Sequence, residues 1–196
     1  MPILSRTTVF VTLWLVWLFL LPFGVPSPPT VQATHIPLPL PANQPLRFER
    51  LGIPDGLSSS FVTGILQDRQ GFIWIGTRDG LNRFDGYSFR TFRYDPVTPG
   101  SLTSNIVHVL VEDAAGMLWV GTDQGIDRFD PQTETFTAYQ PDPTNPHSLS
   151  NQHVFALAPA PDGTLWVGTD AGLNHFDPVT EIFTHYTADP ADPHSL

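Results

Sequence analysis

The stretch GMLWVGTDQGIDRFDP, residues Gly116–Pro131, decides the fold of this chain because it recurs. Residues Gly71–Gly86 read GFIWIGTRDGLNRFDG, and residues Gly163–Pro178 read GTLWVGTDAGLNHFDP. The tryptophans of successive copies are 45 and 47 residues apart. A fixed period of this length is typical of solenoids, propellers and other repeat arrays.

Each repeat predicts short strands separated by turns, because Gly, Asp and Pro stand where the chain has to reverse. No helical period of 3.6 residues is present, which argues against a helical solenoid. In the middle repeat the predicted strands are Ile106–Glu112, Met117–Thr122, Ile126–Asp130 and Thr135–Tyr139.

The second of these strands indicates the architecture. Leu118 and Val120 point to one face and Trp119 to the other, so both faces are apolar. A strand of this kind belongs to a sheet that is covered on both sides. Four-stranded antiparallel units of about 45 residues, each covered by its neighbours, are propeller blades. The predicted fold is therefore all-β, a partial β-propeller of three four-stranded blades of 45–47 residues, preceded by an N-terminal signal or anchor helix.

The N-terminal segment is predicted to lie outside this fold. The apolar run Val9–Leu21 has 13 residues, interrupted only by Thr12. That length suits a signal peptide, whereas a membrane span needs about 20 residues. Cleavage after Ala33 and retention as an anchor both remain open. The predicted segments are a signal peptide or anchor (1–33), a proline-rich linker (34–45), an outer closing strand with lead-in (46–56) and three blades (57–101, 102–148 and 149–195).

Three blades cannot close a ring, since propellers have roughly four to eight. The segment Leu46–Leu51 resembles an outermost fourth strand, which in a closed ring would complete the last blade. Without that blade the strand has no sheet to join, and an apolar face at each end of the array is exposed to solvent. Such faces predict a partner or aggregation. The isolated chain is therefore expected to be poorly soluble or oligomeric.

Composition excludes some classes of site. The 196 residues include no cysteine, which rules out disulfides and Cys-ligated metals. The net charge of −10 is a poor match to nucleic acid, which binds basic surfaces. The charge is also uneven. Residues 46–93 carry 7 Arg and 5 acidic residues, whereas residues 94–196 carry 1 Arg and 14 acidic residues.

The acidic residues predict turns and not catalysis. They recur once per repeat at reversal points, where Asp accepts backbone N–H groups, with calcium binding as the open alternative. No non-repeating acid pair, zinc-type histidine spacing or G-x-S-x-G elbow is present. We therefore predict no catalytic residue, no cofactor and no metal ligand.

Two repeated residue types are predicted to pack the blades together. The tryptophans could stack on sugar rings, but a doubly covered strand favours packing between blades. The glycine two residues later is expected to let a tryptophan or backbone of the adjacent blade approach closely. These residues are Trp74, Trp119 and Trp166, and Gly76, Gly121 and Gly168.

A ligand site is expected where the repeats differ. The turn between the second and third strands keeps its length but changes its side chains. In a propeller these turns share one face with the loops between blades, at the mouth of the channel. The candidate ligand-binding residues are Arg78, Asp79, Asp123, Gln124 and Asp170.

The repeats resemble the two-component regulator propeller repeat of bacterial sensor proteins, and the resemblance covers about residues 46–196. The first unit, Gly56–Asn105, looks like the opening blade of the periplasmic sensor region in hybrid histidine kinases. The middle unit departs at residues 125–127. The third has His175 in place of Arg and Ala160 in place of Asp. These departures are expected to leave the fold unchanged.

This resemblance implies a non-catalytic, exported sensor module in the periplasm or on the outer face of the inner membrane. It implies an N-terminal fragment of a sensor histidine kinase, with further blades and output domains as partners. A carbohydrate-derived ligand and a homodimer are further expected partners. Contact with the membrane is expected only through the N-terminal segment or a missing downstream helix. The alternatives are a propeller glycosidase or lyase and a scaffold that binds protein partners through its open edges.

Overall fold

The computed structural model describes residues 48–189, 191–192 and 195–196. The predicted signal or anchor helix, the proline-rich linker and the start of the lead-in lie outside these residues. Apart from one 3-10 turn, Ile53–Asp55, the elements in the described ranges are β-strands. Over these ranges, no helix is both long enough and apolar enough to cross a membrane.

The strands form three antiparallel sheets of four strands each. The first sheet contains β1 (Val62–Gln67), β2 (Ile73–Thr77), β3 (Gly80–Phe84) and β4 (Phe89–Phe92). The second contains β5 (Val107–Glu112), β6 (Leu118–Thr122), β7 (Ile126–Asp130) and β8 (Thr135–Tyr139). The third contains β9 (Val154–Pro159), β10 (Leu165–Thr169), β11 (Gly172–Asp177) and β12 (Ile182–Tyr186). Within each sheet the strands lie side by side in chain order, which confirms the predicted all-β array of propeller blades.

The turn between the second and third strands of each blade requires glycine. Gly80 has a φ of 105°, in the left-handed region that residues with a side chain rarely adopt. A Cβ at this position would lie 2.5 Å from the carbonyl oxygen of Phe92 in the outer strand. Gly125 and Gly172 repeat this geometry, so the same residue type makes the same hairpin three times.

The tryptophans of the first two blades pack against the next blade. The ring centroids of Trp74 and Phe129 are 4.9 Å apart, and those of Trp119 and Phe176 are 5.7 Å apart. Both indoles are almost completely buried. Two apolar clusters result, one between the first and second sheets and one between the second and third.

The glycines of the second strands admit valine side chains from the following blade. A Cβ on Gly76 would lie 2.7 Å from Cγ1 of Val107, and a Cβ on Gly121 would lie 2.8 Å from Cγ1 of Val154. The expectation that a tryptophan or backbone makes this approach was therefore wrong. At Gly168 the three atoms nearest to a Cβ would all belong to Ala156 of its own sheet.

The two ends of the array lack these contacts. Val62 is 41% exposed, whereas its counterparts Val107 and Val154 are fully buried. At the other end Trp166 is only half-buried. The described part of the predicted closing strand, Phe48–Leu51, belongs to no sheet, and its role in ring closure stays a prediction.

Ala160 stands where the other two repeats have aspartate, and this difference removes a contact inside the third blade. In the first blade the Trp74 indole N–H donates to Oδ2 of Asp68 at 2.7 Å, and in the second the Trp119 indole donates to Asp113 at 2.8 Å. Ala160 occupies the equivalent turn and offers no side-chain acceptor. The fold tolerates the change, but the third blade loses a bond that orients its indole.

Candidate functional site

The inner edge of the array is formed by the first strand of each blade. Strand β1 contacts β5, and β5 contacts β9. Because strand directions alternate, the β2–β3, β6–β7 and β10–β11 turns share one face of the array with the loops that join the blades. Residues from the turns and the inner strands can therefore meet at that face.

A hollow of about 280 Å³ lies where these elements meet. It combines a guanidinium, a carboxylate, two imidazoles and apolar side chains from all three blades. Its lining residues are Arg78, Ile106, His108, Asp123, His153 and Phe155.

Asp123 contributes a carboxylate to the lining of the hollow. Its turn is braced by the hydroxyl of Thr122, which accepts the backbone N–H of Gln124 at 3.1 Å and donates to the carbonyl of Gly125 at 3.0 Å. Oδ1 of Asp123 is buried and makes no hydrogen bond within the described part of the chain.

Two charged contacts set the rim of the hollow. The guanidinium of Arg78 lies over the ring of Phe61, 3.9 Å from its centroid, in a cation–π contact. Nδ1 of His153 and Oδ2 of Asp170 are 2.8 Å apart. A fixed positive charge from the first blade and a carboxylate–imidazole pair from the third blade thus lie at the hollow.

His108 is held toward its neutral form. Burial lowers the pKa of His108 below its usual 6.5, and the nearby charge of Asp123 offsets part of this effect. Repulsion from His153 and Arg78 lowers the pKa further, while Asp170 raises it. The neutral ring offers one donor and one acceptor to a ligand.

The structure gathers three of the five predicted ligand residues. Arg78 and Asp123 line the hollow, and Asp170 reaches it through His153. Asp79 instead accepts two hydrogen bonds from the guanidinium of Arg93, at 3.0 and 3.3 Å. The remaining residue, Gln124, lines a neighbouring open groove of about 580 Å³, to which Asp123 also contributes. Ligand binding at all five positions stays a prediction.

Sequence reasoning missed the two imidazoles, because His108 and His153 stand at non-equivalent repeat positions. The available signal was the strand alternation around the buried valines. A residue on either side of a buried strand position points to the opposite face. These flanking positions are Phe61 and Thr63, Ile106 and His108, and His153 and Phe155.

The repeated carboxylates away from the hollow shape turns. Oδ1 of Asp85 accepts the backbone N–H groups of Tyr87 and Ser88 at 2.8 and 2.7 Å, and these bonds lower the pKa of that carboxyl group. Similar backbone bonds lower the pKa of Asp130 and Asp177. Within the described ranges, no cluster of three or more acidic or histidine side chains could hold a metal ion.

Comparison with known families gives three matches along the chain. The sequence profile of the two component regulator propeller matches residues 56–79, 101–124 and 148–171. Each match runs from the loop before a blade, through its first two strands, into the turn that carries the predicted ligand residues.

Relatives with longer chains show the same similarity. A segment of 42 residues is 57% identical to Histidine kinase P4 of Formosa agariphila, covering 21% of this chain and 3% of that protein. Two extracellular domains of hybrid two component systems from B. thetaiotaomicron are similar in structure. That of BT3049 has a TM-score of 0.68 and 35% identity over 75% of this chain and 21% of its own. That of BT4673 has a TM-score of 0.60 and 25% identity over 72% of this chain and 18% of its own. This chain thus spans about a fifth of those structures and a small part of the kinase.

Proposed function

This chain is built from repeats of the two component regulator propeller family, and from that premise we propose that it is the ligand-sensing part of an exported sensor. The similarity to extracellular domains of hybrid two component systems supports a position in the periplasm or on the outer face of the inner membrane. The similarity to a histidine kinase supports an output domain of that kind in the parent protein. Further blades and a second copy of the chain are the proposed protein partners.

The observation that carries the proposal is the hollow itself, where the carboxylate of Asp123, the guanidinium of Arg78 and the imidazole of His108 come together. A ligand hydroxyl can donate to the carboxylate of Asp123, while Arg78 and neutral His108 supply donors of their own. The ring of Phe155 is 52% exposed and can cover an apolar ligand face. Hydroxyl groups around a ring with an apolar face are the chemistry of a sugar. We therefore propose a carbohydrate-derived ligand at this hollow.

The proposal assigns binding, and no reaction, to this chain. The carboxylates of Asp68, Asp85 and Asp113 are engaged in turn and indole hydrogen bonds. Phosphotransfer would be the task of the parent protein's output domain.

Calorimetry on the full chain with a panel of neutral and acidic oligosaccharides tests the proposal. Asp123→Ala is expected to weaken binding of the responsive sugar by about tenfold or more, since a charged hydrogen bond contributes about 1.5–3 kcal/mol. The control is Asp162→Ala, which alters a turn of the third blade outside the hollow. Unchanged binding by Asp123→Ala, or no binding by any sugar, would overturn the proposal. Chain-shortened products in the mixture would instead support a glycosidase or lyase.

A further inference from the structure

The loop that joins the first and second blades is fastened to the second blade by hydrogen bonds between Thr103 and Asp127. We infer that these two residues form a pH-dependent latch: the protonated carboxyl group of Asp127 holds Thr103 in place, and loss of the proton releases it. The latch borders the ligand face, since Thr103 lines the groove of about 580 Å³ that Asp123 and Gln124 also line. It is independent of which ligand binds there.

Three short contacts between oxygen atoms follow one another through the latch. Oδ2 of Asp127 lies 2.6 Å from Oγ1 of Thr103, which lies 3.0 Å from Oγ1 of Thr122. The hydroxyl of Thr122 is in turn 3.0 Å from the carbonyl oxygen of Gly125. Each contact needs one proton to be a hydrogen bond, and the two hydroxyl groups supply only two. The third proton has to come from the carboxyl group of Asp127.

The first blade makes the same series of contacts with a donor that cannot be lost. Nδ2 of Asn82 donates to Oγ of Ser58 at 2.8 Å, and that oxygen lies 2.9 Å from Oγ1 of Thr77. The hydroxyl of Thr77 donates to the carbonyl of Gly80 at 2.9 Å. An amide group keeps its protons where a carboxyl group ionises. Asp127 therefore makes the second blade sensitive to pH at a position where the first blade is not.

The surroundings of Asp127 do not compensate for a negative charge. The side chain is fully buried, and its partners in the adjacent strands are Val120 and Ala138. The groups that face it from the loop and the turn are the neutral hydroxyls of Thr103 and Thr122. Burial raises the pKa of Asp127, and within the described chain only the bonds from Thr103 oppose this effect. Because water reaches the carboxylate once Thr103 moves away, ionisation favours the open loop.

The opening is confined to a short segment, because the loop has separate anchors on both sides of Thr103. Leu102 is buried in the apolar cluster between the first and second sheets. The carbonyl oxygen of Asn105 accepts the backbone N–H of Gly80 at 2.7 Å, and Oδ1 of Asn105 accepts that of Tyr94 at 2.8 Å. Release of Thr103 therefore changes the wall of the groove while the blade stays folded, which is a local opening and not global unfolding.

The pH range of the latch follows from the two states of Asp127. In the open loop the hydrated carboxyl group ionises near pH 4, as aspartate does in water. In the closed loop its pKa is about 7. Between these values only the open form is ionised, so each pH unit shifts the equilibrium toward opening by up to about tenfold. The latch is closed in acid, loosens as the pH rises to 7, and changes no further above that value.

Hydrogen exchange of single amides, followed by NMR on the full chain, tests the latch with two internal controls. The backbone N–H of Thr103 bonds to Asp127, whereas the equivalent groups of Ser58 and Ser150 bond to asparagine side chains. Relative to these two amides, the protection factor of Thr103 should fall by about tenfold or more between pH 5 and pH 7. An equal fall at all three amides would indicate global unfolding and overturn the latch. A constant ratio of the three would overturn it as well.

Two substitutions in the same strand assign the effect to one carboxyl group. Asp127→Asn should remove the pH dependence that is specific to the amide of Thr103. Asp130→Asn is the matched control and should preserve it, because turn hydrogen bonds lower the pKa of Asp130 and keep it ionised in this range. A second measurement needs no variant: the carboxyl carbon of Asp127 in the ¹³C-labelled chain should titrate near pH 7. Titration near pH 4, or pH dependence at Thr103 that survives Asp127→Asn, would overturn the proposal.

Discussion

The carboxylate of Asp127 accepts hydrogen bonds from both the hydroxyl and the backbone N–H of Thr103, with the hydroxyl oxygen at 2.6 Å and the nitrogen at 3.2 Å. The other two blades place Asn82 and Asn174 at this position, and each accepts the corresponding backbone N–H. Asp127 is fully buried. Burial raises its pKa to about 7, although the bonds from Thr103 lower it in part.

This raised pKa predicts a stability that falls as the pH rises. The unfolded carboxyl group ionises near pH 4, whereas the folded one stays protonated to about pH 7. Folding thus favours the protonated form, and the contribution of Asp127 is complete below about pH 4 and lost as the pH rises through 7. Asp127→Asn should raise the free energy of unfolding by about 2–4 kcal/mol at pH 8 and change it little at pH 4. Denaturant unfolding of both proteins at several pH values measures the difference.

The side-chain amide of an asparagine at position 127 is expected to find a hydrogen-bond acceptor. In the other two blades, Nδ2 of Asn82 and of Asn174 donates to a carbonyl oxygen of the second strand. Asp142→Asn is the control. Turn bonds lower the pKa of Asp142, so this substitution should bring no gain at high pH. A gain for Asp127→Asn that is equal at pH 4 and pH 8 would contradict the assignment.

The valine-filled recess predicts that two equivalent glycines respond differently to alanine. A Cβ at Gly121 would lie 2.6 Å from Val109 and 2.8 Å from Val154, so two packed side chains would have to move. Gly121→Ala should lower the free energy of unfolding by about 1–3 kcal/mol, the usual cost of overpacking. At Gly168 the nearest atom to a Cβ is that of Ala156, at 3.1 Å, so Gly168→Ala should cost less. Thermal unfolding of the two variants compares them, and equal losses would count against blade-to-blade packing at this site.

The indole hydrogen bond predicts a substitution that stabilises the protein. Ala160→Asp should restore the acceptor that Asp68 and Asp113 provide in the other blades. The expected gain is about 0.5–1.5 kcal/mol, the net value of one hydrogen bond, together with altered fluorescence of Trp166. Ala115→Asp adds the same charge to an exposed turn and serves as the control. If both substitutions shift the melting temperature equally, charge and not the indole bond is responsible.

The glutamate in the β7–β8 turn predicts a measurable ionic link between blades. Glu134 contacts the guanidinium groups of Arg83 and Arg90 from the first blade. Glu181 occupies the equivalent turn, also with a positive φ, and within the described part of the chain its carboxylate accepts a hydrogen bond from Tyr139 at 3.3 Å but meets no guanidinium group. Glu134→Ala should therefore destabilise the protein by about 1 kcal/mol more than Glu181→Ala. The difference should shrink in high salt, and a salt-independent difference would rule out the ionic explanation.

Individual blades could be predicted from the sequence because their contacts are local. Strands β6 and β7 are joined by a turn of a few residues, in which Gly125 has a φ of 135°, in the left-handed region that favours glycine. The doubly apolar strand around Trp119 showed that a sheet must cover each side. Turn geometry and strand alternation depend on residues within about ten positions of each other. Each repeat could therefore be assigned its strands and turns from its own sequence.

The partners across the blades could not be predicted in the same way. The sequence required a neighbour near Gly121 but did not show that Val154 would be that neighbour. His108 and His153 stand at different positions of the repeat, so nothing in the sequence indicated that they meet. In the structure both line one hollow with Asp123. These residues are 15 to 45 positions apart, and only the stacking of sheets brings them together.

The sequence by itself determined the strand order, the turns and the need for covered faces, since these follow from local hydrogen bonding and side-chain alternation. The tertiary structure alone decided which side chains meet at the inner edge and which residues pack against each other between neighbouring blades. Those outcomes depend on how one rigid sheet lies against the next, and this packing is set by contacts between residues tens of positions apart.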